Sequence, residues 1–410
     1  MKKTIAFLLA VALMLGLAAC GEEAITTNTT SPTTPTDATT PTDATSPSVI
    51  PEKLHEVYNI GNYSGTPEEV ISNRLTTVAT LNGTTLSNST LQIFYWMDVY
   101  EFISNFDLEE YELDISKPLS QQKLEPGTWQ QFFLGSALQS WNYHQSIALT
   151  AQEEGVALLP YFQKLLDNTP DELAESAKEE GYDTIDAMIQ SDTGPGCTME
   201  DFIAYRQIIY TAQSYRFSKI NAMTFTDEEV EEYFIEYEAA LMADGITKDS
   251  ETAHKVRHIF IPIEPNQEAT EEDWARCRQK AQDLLDQWLA GDATEDSFSM
   301  LAMEHSEDLG SVNYGGLYRG LTEGVSFLEP FKEWYLTEGR QAGDYGLVRS
   351  SAGYHVMYYS GSEPLWYAFC LNQLINEAIE EIDIAAMEKY EVDVYFDKIL
   401  LGEVSLIEDK

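Results

Sequence analysis

Two stretches of the sequence decide the fold of the central part of this chain: VRHIFIP at residues 256–262 and SSAGYHVM at residues 350–357. The first is a run of mainly β-branched and aromatic residues that ends at a proline, and it predicts a β-strand. The second starts with small residues and a glycine, which predict a turn, and continues as a last strand. Each predicted strand carries a histidine, His258 in the first and His355 in the last.

The residues between these strands predict three helices and one further strand. Apolar residues recur on one face of residues 271–291, which indicates an amphipathic helix that ends at a glycine. A second helix is expected at about residues 297–305, and Glu-Pro-Phe at residues 329–331 opens a third. A loop with two adjacent glycines, at residues 315–316, lies between these two helices, and residues 343–348 begin a return strand.

This order of elements, together with five short motifs, resembles the parvulin family of peptidyl-prolyl cis–trans isomerases. The motifs are His-Ile-Phe-Ile at 258–261, Ser-x-Asp at 306–308, Gly-Gly at 315–316, Pro-Phe at 330–331 and Gly-Tyr-His at 353–355. Each motif is weak by itself, but all five occur in the family's order over one domain length, about a quarter of the chain. The resemblance implies a four-stranded antiparallel sheet covered by helices.

The resemblance also assigns candidate site residues. It implies a catalytic hydrogen-bond network, formed by His258, Asp308, Ser350 and His355. It implies a pocket for the proline ring, lined by Tyr318, Phe327 and Phe331. The sequence departs from the family pattern at Ala352, which lacks a hydroxyl that some members have. It also departs in the glycine loop, which is Gly-Gly-Leu-Tyr instead of Gly-Gly-Asp-Leu.

The chemistry of this reaction explains why such residues suffice. The barrier to rotation about an X–Pro bond is that of twisting a partial double bond, about 18–20 kcal/mol. Because no covalent bond breaks, the site needs no nucleophile, and we expect no cofactor and no metal. A fixed polar network can respond to the charge that changes on the carbonyl oxygen and the imide nitrogen. The alternative is that the two histidines only satisfy each other's hydrogen bonds inside the sheet.

The region before the central domain predicts a helical body. Residues 75–83 alternate loosely and end in Asn-Gly, which indicates a strand and a turn. Ser87 to Thr90 supply cap candidates for the first long helix, and further helices are expected at residues 129–155, 161–181, 184–191, 199–223 and 227–243. The aromatic residues of these helices are interpreted as core, and an apolar groove for unfolded chains is the alternative.

The C-terminal region is too apolar for a disordered tail. Leu371, Leu374, Ile375, Ala378, Ile379 and Ile382 recur at helical spacing, so this segment must bury a face. The strand–helix pattern near residue 80 and the acidic helix after Thr226 resemble PrsA/SurA-type extracytoplasmic foldases, in which the segments flanking the parvulin domain pack together. We therefore predict an α+β protein: a mainly helical chaperone domain made of residues 56–250 and 362–410, with a parvulin domain, residues 251–361, inserted between them.

The N-terminal segment is typical of an exported lipoprotein. A short basic start is followed by an apolar run that ends in Leu-Ala-Ala-Cys at residues 17–20, which resembles the bacterial lipobox. Residues 1–19 are predicted to be a signal peptide and Cys20 to carry the lipid. Residues 20–55 are predicted to be a disordered tether rich in Thr and Pro. The expected location is the extracytoplasmic face of the cell membrane, in a bacterium of the Gram-positive type.

The charge excludes several kinds of partner. The chain has 24 Lys and Arg against 69 Asp and Glu, a net charge of −45, so it cannot neutralise the phosphates of a nucleic acid. The loop after the first central strand, residues 263–273, is acidic and would repel phosphoserine, so no phospho-specific ligand is expected. The expected partners are unfolded or newly exported polypeptides with X–Pro bonds, and the membrane through Cys20.

Three functions compete at this point. The first is a lipid-anchored foldase that isomerises X–Pro bonds in exported proteins and acts as a chaperone. The second is a holdase chaperone whose parvulin domain is catalytically silent. The third, a solute-binding lipoprotein, would require two lobes of repeated strand–helix units, and the helical character of residues 86–243 disfavours it.

Overall fold

The structure is a computed structural model, and it describes residues 57–59, 61–263 and 269–406. The predicted signal peptide, the tether and Cys20 lie outside these ranges. No helix in the described part is both long enough and apolar enough to cross a membrane.

The N-terminal part contains a β-hairpin. Strand β1 (Thr77–Leu81) pairs antiparallel with strand β2 (Thr84–Ser87). Asn82 and Gly83 connect the two strands, and both have a positive φ, 48° and 84°. Two consecutive residues with positive φ are what a two-residue type I′ turn requires, and Asn-Gly is the preferred pair.

Helices make up most of the remaining N-terminal part, with one small hairpin among them. They are α1 (Pro67–Ser72), α2 (Asn88–Asn105), α3 (Trp129–Glu154), α4 (Pro160–Glu179), α5 (Ile185–Thr193), α6 (Met199–Ala222) and α7 (Asp227–Ala243), with strands β3 (Lys123–Leu124) and β4 (Gly127–Thr128) before α3. Side-chain hydroxyls fix several of the helix starts: Ser87 and Thr226, for example, accept a hydrogen bond from the backbone N–H three residues later. These caps satisfy donors that have no partner inside a helix.

Among its described residues, the central part contains four strands and three α-helices. They are β5 (Thr252–Pro262), α8 (Glu271–Ala290), α9 (Glu295–His305), β6 (Leu317–Leu321), α10 (Glu329–Leu336), β7 (Tyr345–Arg349) and β8 (Gly353–Pro364). The strands form one sheet in the order β6-β5-β8-β7, and every neighbouring pair is antiparallel. The predicted four-stranded antiparallel sheet is thereby confirmed.

The two faces of this sheet bury different clusters because side chains alternate along each strand. On one face Ile259, Ile261 and Val356 pack under helices α8 and α9. On the opposite face Val256 and Met357 pack with side chains of α10, including Phe331 and Tyr335. By the same alternation, His258 on β5 and His355 on β8 lie on this second face. This face carries the candidate site.

The chain then returns to the N-terminal part. Helix α11 (Leu365–Glu388) packs against α3 and α7, and strand β9 (Val392–Val394) pairs antiparallel with β1. A buried carboxylate on α11, that of Asp383, accepts a hydrogen bond from Tyr143 of α3 at 2.6 Å and pairs with Arg216 of α6 at 3.0 Å. The segments before and after the sheet domain are therefore in contact, while the exact boundaries drawn from the sequence remain predictions.

Large aromatic side chains fill the core of the helical part. Trp96, Phe94, Phe133 and Trp141 are at most 1 % exposed and belong to one continuous cluster that includes residues from α2 to α6 and from β9. Each such ring buries on the order of 150–250 Å². The interpretation of these aromatics as core therefore holds for this cluster.

Candidate functional site

Two buried histidines on adjacent strands form the centre of the candidate site. His258 lies on β5 and His355 on β8, and their Nδ1 atoms are 3.2 Å apart. The imidazole rings are stacked at an interplanar angle of 21°. The register explains the contact: His355 is paired with Phe260, two residues beyond His258 on the same strand, so the two rings are diagonal neighbours on one face.

A carboxylate closes one end of this pair. Oδ2 of Asp308 lies 2.9 Å from Nε2 of His258 and accepts further hydrogen bonds from the hydroxyls of Ser311 and Tyr318, the latter at 3.0 Å. Burial by itself would raise the pKa of Asp308, but the hydrogen bonds and the charge of His258 outweigh it and lower that pKa to about 2. Asp308 is therefore ionised at neutral pH.

A hydroxyl closes the other end. Oγ of Ser350 lies 2.9 Å from Nε2 of His355, and the backbone N–H of Ala352 donates to the same oxygen at 3.2 Å. Burial, and secondly the charge that His258 can carry, lower the pKa of His355 to about 3, and the nearby Asp308 carboxylate opposes this only in part. His355 is therefore a neutral imidazole at neutral pH.

The side-chain contacts join these four groups in one continuous chain. Oγ of Ser350 contacts Nε2 of His355, and Nδ1 of His355 contacts Nδ1 of His258. Nε2–H of His258 then donates to the Asp308 carboxylate, which can only accept. Because the hydrogen bonds are continuous, a change of charge at either end polarises the rest of the network.

Three aromatic rings line the same face beside the network. Phe331 is 1 % exposed and its ring is nearly perpendicular to both imidazoles, with ring centroids 5.1 Å from His258 and 5.5 Å from His355. Phe327 stacks on Phe331 at 4.8 Å, and Tyr318 meets Phe327 edge-on at 4.9 Å. Phe327 and Tyr318 are only partly buried. Phe331 is thus the floor of an aromatic surface that the other two continue toward solvent.

The loop at residues 306–316, called here the site loop, depends on its glycines. Gly315 and Gly316 have φ values of 64° and 73°, a region that side chains other than glycine rarely adopt. A Cβ on Gly316 would lie 2.2 Å from the carbonyl oxygen of His258, so no larger residue fits. The guanidinium of Arg257 donates to the carbonyls of Tyr314 and Gly315 at 2.8 and 3.0 Å and holds the loop against β5.

All seven site residues predicted in the central domain come together in this structure. His258, Asp308, Ser350 and His355 form one network, and Tyr318, Phe327 and Phe331 form the adjoining surface. Tyr318, predicted only as a lining residue, also donates to Asp308. Cys20, the eighth predicted site residue, is outside the described part.

Sequence reasoning did not single out two residues that belong to this site. Ser311 donates to the Asp308 carboxylate, and its position three residues after that aspartate was the only sequence signal. Phe260 stacks on the His355 ring at a centroid distance of 4.9 Å. It stands two residues after His258, so strand alternation places it on the same face. Within the described ranges no cluster of His, Cys, Asp and Glu side chains could hold a metal ion.

Comparisons with known proteins bear on the central domain. Residues 242–360 match the family model described as the PPIC-type PPIase domain. No curated protein matches the chain. Among solved structures, the chain is similar to PrsA peptidylprolyl isomerase from Bacillus anthracis, with 16 % identity over 62 % of this chain and 94 % of that one, at a TM-score of 0.20. It is also similar to the foldase protein PrsA from Streptococcus pneumoniae, with 15 % identity over 66 % and 93 % of the two chains, at a TM-score of 0.21.

Proposed function

We propose that this chain is a lipid-anchored extracytoplasmic foldase, starting from the finding that residues 242–360 form a PPIC-type peptidyl-prolyl cis–trans isomerase domain. The parvulin-type isomerase predicted from five short motifs is confirmed by that match. We propose in addition the roles of individual residues, the clients, the chaperone activity and the anchoring.

One observation carries the proposed catalytic mechanism: the aromatic floor and the hydrogen-bonded network share one face of the sheet. Phe331 and Phe327 hold the proline ring and keep water from it. The network of Ser350, His355, His258 and Asp308 is fixed in place, so it responds to the charge on the twisting amide without having to reorganise. Rate acceleration then comes from favouring the twisted amide over either planar form.

The substrate class follows from charge and from the kind of reaction. X–Pro bonds occur in any unfolded polypeptide that contains proline, and the aromatic surface fits the apolar ring of proline. In the acidic stretch at residues 263–273 the sequence lacks the basic residues that would bind phosphate. The proposed substrates are therefore unphosphorylated X–Pro bonds in newly exported proteins.

A partly exposed aromatic patch on the helical part supports the proposed chaperone activity. The ring of Phe102 contacts those of Phe106, Tyr111 and Trp129 at centroid distances of 4.7 to 5.2 Å. Phe106 is 48 % exposed and Tyr111 is 41 % exposed. Exposed apolar surface of this kind is a feature of sites that bind other polypeptides, and the occupant proposed here is an unfolded client.

Two assays on the full chain test this function and separate it from its alternative. A client whose refolding is limited by X–Pro isomerisation should refold faster in its presence, and a denatured client that aggregates should scatter less light. The combined change Phe106→Ser and Tyr111→Ser should weaken only the second effect. Leu75→Ser, which alters a side chain that is 68 % exposed outside the patch, is the matched control. Suppression of aggregation without faster refolding would favour the holdase with a silent domain.

A further inference from the structure

The site loop contacts both parts of the molecule. One side of it carries Asp308 and Ser311, whose side chains belong to the candidate site. The other side carries Leu309, Val312 and Tyr314, which pack into the hydrophobic cluster of the helical part. Asp308 and Ser311 are three residues apart, and so are Leu309 and Val312. The two pairs therefore lie on different sides of the same turn.

The contacts with the helical part are specific. Val312 is 0 % exposed within a cluster otherwise formed by residues of the helical part and β9. The ring of Tyr314 meets that of Phe217, on α6, edge-on at a centroid distance of 4.9 Å. Near the end of the same helix, Nδ2 of Asn221 donates to the carbonyl oxygen of Asn313 at 2.9 Å. Phe217 in turn stacks on Phe162 of α4, so these contacts continue into the body of the helical part.

The backbone of the site loop connects these contacts to the site. The N–H of Val312 donates to the carbonyl of Asp308 at 2.9 Å, and the N–H of Gly316 donates to the carbonyl of Ser311 at 2.8 Å. The carbonyl of Gly316 then accepts from the N–H of His258, also at 2.8 Å. Because backbone hydrogen bonds join Val312 to Asp308 and Gly316 to Ser311 within the loop, a displacement of Val312 or Asn313 also moves Asp308 and Ser311.

We propose that helix α6 is a positioning element of the isomerase site: Phe217 and Asn221 fix the site loop, and through it the Asp308 carboxylate that His258 contacts. The inference deepens the proposed function and depends on it for its catalytic consequence. Phe217 and Asn221 touch no substrate and act only through the loop. The isomerase domain is then not an independent unit, because its carboxylate is held in place by the part of the chain proposed to bind clients.

The test compares full-length variants of α6 in a cis–trans assay on an Ala-Pro peptide. Asn221→Ala removes the donor to the loop, and Phe217→Leu removes the ring contact with Tyr314. Gln207→Ala is the matched control: it removes an exposed amide of the same helix whose only described side-chain bond is to Thr211. We expect the two loop variants to lower kcat/KM at least threefold and the control to leave it unchanged.

The pH profile distinguishes positioning from a general loss of stability. A loosened loop weakens the hydrogen bonds from Ser311 and Tyr318 to Asp308, so the pKa of that carboxyl rises. The acid limb of kcat/KM should therefore move to higher pH in Asn221→Ala and not in Gln207→Ala. A lowered unfolding temperature with an unchanged kcat/KM and pH profile would overturn the proposal.

A measurement that does not depend on catalysis tests the positioning role of α6 separately from the proposed function. In full-length protein with 15N-labelled histidine, Asn221→Ala should shift the imidazole signals of His258 and His355, and Gln207→Ala should leave them in place. If the wild type does not catalyse isomerisation, the proposed function fails, and these signals still decide whether α6 positions the network. Unchanged signals in both loop variants would overturn the positioning role.

Discussion

At the scale of single residues, the site is defined by which groups are charged. Asp308 is a carboxylate held ionised by three hydrogen-bond donors, whereas His355 is held neutral by burial. Both pKa values are lowered, to about 2 and about 3, so in both cases the folded protein binds protons less readily than the unfolded chain. Each group therefore contributes stability above its unfolded pKa and loses it as the pH falls toward its folded pKa.

This gives a prediction for the dependence of stability on pH. For His355 the window runs from about pH 6.5, its unfolded pKa, down to about pH 3. In that window the slope of the unfolding free energy from this one group is up to about 1.4 kcal/mol per pH unit. His355→Gln should therefore show a shallower loss of stability between pH 6.5 and 4.5 than the wild type, measured by denaturant unfolding of the full chain. Equal slopes would mean that His355 is not held neutral by the fold.

At the scale of helices and strands, the sequence was sufficient to predict a turn or a helix start that is determined by neighbouring residues. The Asn-Gly pair at residues 82–83 predicts the hairpin turn, and the cap predicted at residues 87–90 is formed by Ser87. Strand β9 was not predicted, because it has only three residues and its pairing partner, β1, lies more than 300 residues earlier in the chain. Strand β6 also escaped prediction, since Gly320, with a φ of 69°, interrupts its pattern.

Much of the candidate site could also be predicted from short stretches of sequence. The motifs around His258, Asp308 and His355 keep the family's order, and strand alternation then places both histidines on one face. What could not be predicted are contacts that depend on how distant segments approach each other. Ser311 becomes a donor to Asp308 only because the site loop turns back on itself, and Val312 is buried only because the helical part covers it.

The attachment of α11 to the helical part gives an element-scale prediction. The Asp383 carboxylate, 3 % exposed, joins α11 to Tyr143 of α3 and to Arg216 of α6. Removing one partner of a buried ion pair leaves the other charge uncompensated and costs about 3–5 kcal/mol. Asp383→Ala should lower the free energy of unfolding of the full chain by roughly this amount. Glu381→Ala, an exposed acid on the same helix, should change it by less than about 0.5 kcal/mol. Equal effects of the two changes would show that α11 is not anchored through Asp383.

At the scale of the whole molecule, the chain passes from the helical part into the sheet domain and back. Strand β9 completes the sheet that β1 began, and α11 covers helices α3 and α7. The site loop is a further contact between the two parts. This arrangement agrees with the proposed function, in which a client-binding body adjoins the isomerase domain.

Anchoring is a second prediction at this scale. If Cys20 is lipidated after cleavage of residues 1–19, Cys20→Ala should abolish incorporation of a labelled fatty acid when the chain is expressed in a Gram-positive bacterium. The variant protein should also leave the membrane fraction. Cys197→Ala, which alters a buried thiol, is the matched control and should keep the label. Unchanged labelling of Cys20→Ala would end the anchoring proposal and leave the isomerase assignment untouched.

The central claim is that the network of His258, His355, Asp308 and Ser350 catalyses rotation about X–Pro bonds. The most direct measurement is a protease-free cis–trans assay on an Ala-Pro peptide with full-length protein, comparing the wild type with Asp308→Asn. That change keeps the shape of the side chain and removes its charge, and Glu304→Gln, an exposed acid at the end of α9, is the matched control. The account predicts catalysis by the wild type and by Glu304→Gln, and a loss of at least about tenfold in kcat/KM for Asp308→Asn, as expected when a preorganised charge is removed. A wild-type rate equal to the uncatalysed rate, or an Asp308→Asn variant as active as the wild type, would contradict it.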